Sequence, residues 1–143
     1  MNRSFGKPKR LPLSDAVSLW QIRVARTQQP LAHRAPMACS LADRLVGLLN
    51  RSRLDEGEGL ILTACRSIHT CFMRFAIDAI FVDRAWRVVA IRKSLAPWRM
   101  TPIVLRAQAV VELPAGTVAR ARLVVGDQLV VEPLDGQNRL DKP

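Results

Sequence analysis

Residues 71–82 read CFMRFAIDAIFV, and the period of the apolar side chains in this stretch decides the fold class. Side chains of an extended segment alternate sides, so Cys71, Met73, Phe75, Ile77, Ala79 and Phe81 are expected to share one face. That face is wholly apolar and is assigned to the core. The other face carries Phe72, Arg74, Ala76, Asp78, Ile80 and Val82. Arg74 and Asp78 therefore share a side, and four extended residues separate them by about 13 Å. They are placed to flank a pocket rather than to pair within one flat strand.

The flanking sequence extends the β reading. DRAW (83–86) reads as a turn, and WRVVAIRK (86–93) returns as an antiparallel partner in a hairpin. LILT (60–63) is a short apolar run suited to a buried strand. SLWQIRVAR (18–26), AQAVVEL (107–113) and QLVVE (128–132) alternate or carry the β-branched residues that strands favour. TQQPLAHRAPM (27–37) contains two prolines and reads as a loop, as does SLAPWRMTP (94–102), which carries Trp98 and Arg99 between its prolines. LDEGEG (54–59) and the Gly126–Asp127 pair read as turns, and Glu112 and Asp127 as turn or edge residues.

One segment has helical period. Leu41, Leu45, Leu48 and Leu49 recur at helix spacing in LADRLVGLLNRS (41–52), and Ser40 with Asp43 resembles a capping box. In PAGTVARA (114–121) Pro114 is suited to open a short helical turn. The expected fold is mainly β: a small antiparallel β-barrel or sandwich with one solid helix and a short helical turn. A chain of 143 residues supports one such domain, expected over residues 16–134. Residues 1–15 read as a mobile basic arm and 135–143 as a loose tail.

An apolar fraction of 49% and a charged fraction of 24% exclude global disorder. No apolar run reaches the roughly 18 residues of a membrane span, and no apolar leader precedes Asp15. Three cysteines without framework spacing fit a reducing compartment. A cytoplasmic location is expected. The net charge of +10 invites a nucleic-acid reading, yet the arginines, which outnumber lysines eighteen to four, are scattered along the chain. The densest ordered stretch, 84–106, holds six basic residues and no acid. No helix-turn-helix, zinc-finger or RNP pattern accompanies it, so any nucleic-acid binding is expected to be indifferent to sequence.

Several blocks in order carry a resemblance: RLVGLLNRSRLDEGEGLIL (44–62), IHTCFMRFAIDAIFVD (68–83), WRVVAI (86–91), VVELPAGT (110–117) and VVGDQLVVE (124–132). Together they resemble the DUF192 family over about residues 40–132. The resemblance implies a compact β-barrel or sandwich with peripheral helices, and a family without an established activity. Where many members carry W-M-K-N-T before I-P-L-D, this chain has Phe72, Met73, Arg74 and Phe75, then Ala76, Ile77 and Asp78. The cation at Arg74 and the carboxylate at Asp78 carry over, whereas the Asn-Thr pair and the proline have no counterpart.

Chemistry-bearing residues concentrate in CRSIHTCFMRFAID (65–78). A structural zinc needs four N or S ligands, C-x3-H-x-C is not a familiar ligand spacing, and Cys71 falls on the apolar face. No metal, cofactor or catalytic residue is assigned. A hydrolase or thiol enzyme using Cys65, His69 and Asp78 is the alternative, and it requires Cys65 and His69 to meet across one helical turn. The favoured reading is a non-catalytic binding or accessory module. Thr70, Arg74 and Asp78 share the non-core parity, and with Trp98 and Arg99 they form the candidate site for a small polar ligand or a protein partner.

Overall fold

Trp20, Ile22 and Val24 alternate with polar neighbours, and they form strand β1 (Leu19–Val24) with Ile22 and Val24 buried. A turn closed by bonds between Val24 and both Gln28 and Gln29 leads into β2 (Pro30–Ala38). The computed structural model describes residues 19–38 and 51–134. The basic arm at 1–15, Cys39, the leucine-striped helix apart from Arg51 and Ser52, and the tail at 135–143 lie outside the described residues. Five more strands follow: β3 (Leu60–Thr63), β4 (Ile77–Val82), β5 (Val88–Leu95), β6 (Ala109–Pro114) and β7 (Leu129–Pro133). A five-residue helix α1 (Thr117–Ala121) lies between β6 and β7.

The seven strands form one curled sheet, a half-barrel, in the order β5-β4-β6-β3-β2-β1-β7. Every neighbouring pair is antiparallel except β2 with β3. The two edge strands meet at one end, where Val88 N–H donates to Asp127 O and Leu129 N–H donates to Trp86 O, each at 2.9 Å. Mainly β architecture and the β4–β5 hairpin agree with the sequence reading.

Three expectations are corrected. Residues 27–37 are not a loop, since nine residues from Pro30 pair as β2. Its prolines sit at the limits of its pairing with β1: Pro30 is the first residue, opposite Arg23, and Pro36, opposite Leu19, lies where the strand leaves β1 and Met37 begins to pair with β3. Next, the strand expected from Cys71 begins only at Ile77; residues 71–76 form turns and Phe72 has φ 66°. Cys71 is accordingly half-buried in a turn and is not a core strand residue. Finally, Glu112 occupies no edge. It is fully buried in β6, between β3 and β4.

β4 and β6 are buried on both faces, which explains why neither shows a clean polar side. Ile80, Val82, Val111 and Leu113 join the cluster that holds Ile22, Val24 and Val118. Ile77, Ala79, Phe81 and Val110 join a second cluster with Leu62, Ile68 and Met73. Fully burying a side chain such as Phe81 contributes about 1.5–3 kcal/mol, so these two strands anchor the sheet.

Candidate binding surface

The loop between β3 and β4 and the loop between β5 and β6 are zipped together by backbone bonds. Thr70 N–H donates to Arg99 O at 2.8 Å and Trp98 N–H to Thr70 O at 3.0 Å. Thr101 N–H donates to Ile68 O at 2.9 Å and Val104 N–H to Arg66 O at 2.8 Å. Thr70 is the centre of this seam. Its side chain is fully buried; Oγ1 donates to Ala96 O at 2.6 Å and accepts the Arg99 N–H at 2.9 Å. Its polar atoms are used within the fold.

Asp78 is also buried, and both of its oxygens accept backbone N–H groups. Oδ1 takes Ser94 N–H at 2.8 Å; Oδ2 takes Gly116 N–H at 3.1 Å and Val118 N–H at 2.9 Å. Gly116 precedes α1 at φ 94°, a left-handed conformation that costs glycine nothing, and it contributes no side chain to cap the helix. Asp78, reaching across from β4, supplies the acceptor that a capping residue normally provides. It does so while pinning β5 at Ser94, itself at φ 49°.

The remaining candidates lie on the outside. Arg74 and Arg99 are exposed, and neither forms an ion pair with a described residue. Trp98 is 60% exposed and Phe72 66%, and their rings pack at 4.6 Å with a 58° tilt. Trp98 has φ 62° and Phe72 φ 66°. Met100, Ile103 and Leu105 continue the exposed apolar surface along the second loop. Sequence reasoning placed Trp98 here but missed Phe72, Met100, Ile103 and Leu105. The available signal was the run MTPIVL itself, five apolar residues and a threonine in a loop, of which only Val104 packs against a core cluster and Thr101 is buried.

Residues 65–69 form no helical turn. Cys65 Sγ–H donates to Ser67 O at 3.0 Å, and His69 lies opposite Met100 in a β-bridge, both loop contacts. Among the described residues no group of three His, Cys, Asp or Glu side chains is placed to hold a metal ion. Hollows elsewhere lie apart from the five predicted residues. One of about 300 Å³ is lined by Leu19, Arg34, Arg51 and Glu58, and one of about 150 Å³ by His33, Glu56, Thr117 and Arg120.

A family model described as uncharacterised ACR, DUF192, matches residues 22–131. The chain belongs to the DUF192 family. No curated protein matches it. Two solved structures share this DUF192 fold. A protein of unknown function from Novosphingobium aromaticivorans superposes with a TM-score of 0.68 at 23% identity, over 83% of this chain and 89% of that one. A "putative transcription regulator" from Sinorhizobium meliloti superposes with a TM-score of 0.64 at 21% identity, over 82% and 94%. At these identities the likeness speaks for the fold alone. No helix among the described residues is long and apolar enough to cross a membrane.

Proposed function

We propose that this DUF192 chain is a cytoplasmic, non-catalytic binding module, one domain over residues 16–134, that recognises a protein partner through the surface around Phe72 and Trp98. One observation carries the reading: two large aromatic side chains stand exposed, packed on each other, on loops that are rigidly joined beneath them. Interface energy concentrates in such aromatic anchors with neighbouring arginines, and a pre-formed backbone lowers the entropy lost on binding. Arg74 and Arg99 flank the aromatics, and no carboxylate among the described residues pairs with them.

The reading as a small polar ligand site is less well supported, because Thr70 and Asp78, which would supply its hydrogen bonds, are already engaged with backbone groups. The same commitment of Asp78 weighs against an enzyme built on Cys65, His69 and Asp78. Cys71 is a free thiol, which fits a reducing compartment.

The test compares the full chain with a Phe72→Ser/Trp98→Ser double variant, both as immobilised bait in an extract of the source cells. Proteins retained by the native chain and lost from the variant, at equal melting temperature, are expected. Identical retention on both, or none on either, would overturn the reading.

A further inference from the structure

We infer that the partner presents an acidic segment with interspersed apolar side chains to this surface, an inference that rests on the protein-binding reading above. The two loops that build the surface lie in stretches, 59–77 and 84–111, that contain no aspartate or glutamate. Four exposed arginines lie on them: Arg66 beside Val104, Arg74 two residues after Phe72, Arg99 between Trp98 and Met100, and Arg106 after Leu105. None is paired with a described carboxylate. Elsewhere several arginines are paired internally, with Arg23 on Glu132 at 2.8 Å, Arg26 on Asp127 at 2.9 Å, Arg53 on Asp55 at 2.8 Å, and Arg51 on Glu58, while Arg34, Arg84, Arg87 and Arg122 form no ion pair with a described residue. At the margin Asp83 shares an open hollow with Leu105 and Arg106, but its Oδ1 accepts the N–H groups of Ala85 and Arg87. The surface thus presents uncompensated guanidinium groups, which recognise carboxylates in a bidentate, directional way.

The apolar component selects among anionic partners. Phosphates of a nucleic acid would satisfy the arginines and leave Met100, Ile103 and Leu105 in water, since aliphatic side chains offer no stacking face. An anionic bilayer favours apolar tips set apart from a cationic collar at headgroup depth. Here the two kinds of side chain are interleaved along the chain, Trp98-Arg99-Met100 and Leu105-Arg106. Interleaving is complementary to a peptide in which carboxylates and apolar side chains also alternate, and complementary charge would steer its encounter as well as fix its register.

The experiment measures fluorescence anisotropy of a dye-labelled peptide rich in Glu and Leu against the full chain, beside Glu→Gln and Glu→Lys counterparts, labelled oligo-dT and phosphatidylglycerol vesicles. The acidic peptide is expected to bind at least tenfold more tightly than its Gln counterpart. That preference should fall at least tenfold in Arg74→Glu/Arg99→Glu and partly in Arg74→Gln/Arg99→Gln, both altered only at exposed positions. Phe72→Ser/Trp98→Ser should weaken the acidic and Gln peptides alike. Equal binding of all three peptides, lost with the aromatic pair, would overturn the acidic inference and leave the protein-binding reading standing. Binding of oligo-dT or vesicles with no peptide bound would overturn both, and no binding of any probe would overturn the inference.

Discussion

Asp78 and Trp98 were assigned by sequence to one site, and in the structure they are the two extremes of how a loop-rich half-barrel uses its polar and aromatic side chains. Asp78 is buried and gives every acceptor to the backbone: to β5 at Ser94 and to the start of α1 at Gly116 and Val118. Trp98 is exposed, sits at a positive φ, and touches another exposed aromatic. The first region turns side-chain chemistry into stability. The second holds chemistry that the fold does not consume, on a seam that Thr70 keeps rigid. Side chains with unspent interaction capacity are the ones available for a partner.

Asp78→Ala tests the first region with the largest expected effect. It leaves three backbone N–H groups without their acceptor, that of Val118 buried and those of Ser94 and Gly116 partly so, and a loss of about 2–5 kcal/mol in urea denaturation is expected. A loss below about 1 kcal/mol would mean that water replaces the carboxylate and that the anchor is dispensable. Thr70→Val keeps the shape of the seam and removes one donated and one accepted hydrogen bond. About 1–3 kcal/mol is expected, with faster amide exchange at Trp98 and Arg99 than elsewhere in the sheet. Unchanged exchange there would place the rigidity of the surface somewhere other than Thr70.

These two roles were only half legible in the sequence. The alternation Met73, Ile77, Ala79, Phe81 correctly named residues that share one core cluster. It did not say that the chain turns between Met73 and Ile77, because side-chain parity records which residues face the core and not which backbone groups pair. β2 was hidden by Pro30 and Pro36, whose places at the strand start and at the change of partner are set by tertiary pairing. Burial of both faces of β6 drew Glu112 inside, against the tendency of a carboxylate to mark an edge. For the candidate site, Arg74 was legible as lying off the core face, and Trp98 and Arg99 as loop residues. That backbone amides had already claimed Asp78 was not, since those amides come from residues 16 to 40 positions away.

A third carboxylate sharpens the contrast by pH. Asp127, at the end where the edge strands meet, is held below the usual aspartate range by hydrogen bonds from Arg26, against the opposing effect of its burial and with help from the Val124 N–H. A depressed folded value contributes stability above the unfolded value, about pH 4, and that contribution is lost as pH falls through the folded value. Asp127→Asn should therefore flatten the fall of stability with acid below about pH 4. Glu132, lowered by its hydrogen bond from Arg23 but nearly half exposed, should give a smaller change in the same direction. Parallel acid profiles for Asp127→Asn and the native chain would show that the Arg26 pair contributes nothing to the fold.

The smallest expected effect on stability is the most direct test of the central claim, that the aromatic surface is not maintained for the sake of the fold. Phe72→Gly/Trp98→Gly removes a ring contact of about 0.5–1.5 kcal/mol and adds chain entropy to the unfolded state. It also relieves two left-handed non-glycine residues, at about 1–2 kcal/mol each. Equilibrium urea denaturation of this double variant should give a stability within about 1 kcal/mol of the native chain. A loss greater than about 2 kcal/mol would make Phe72 and Trp98 structural and would contradict the account.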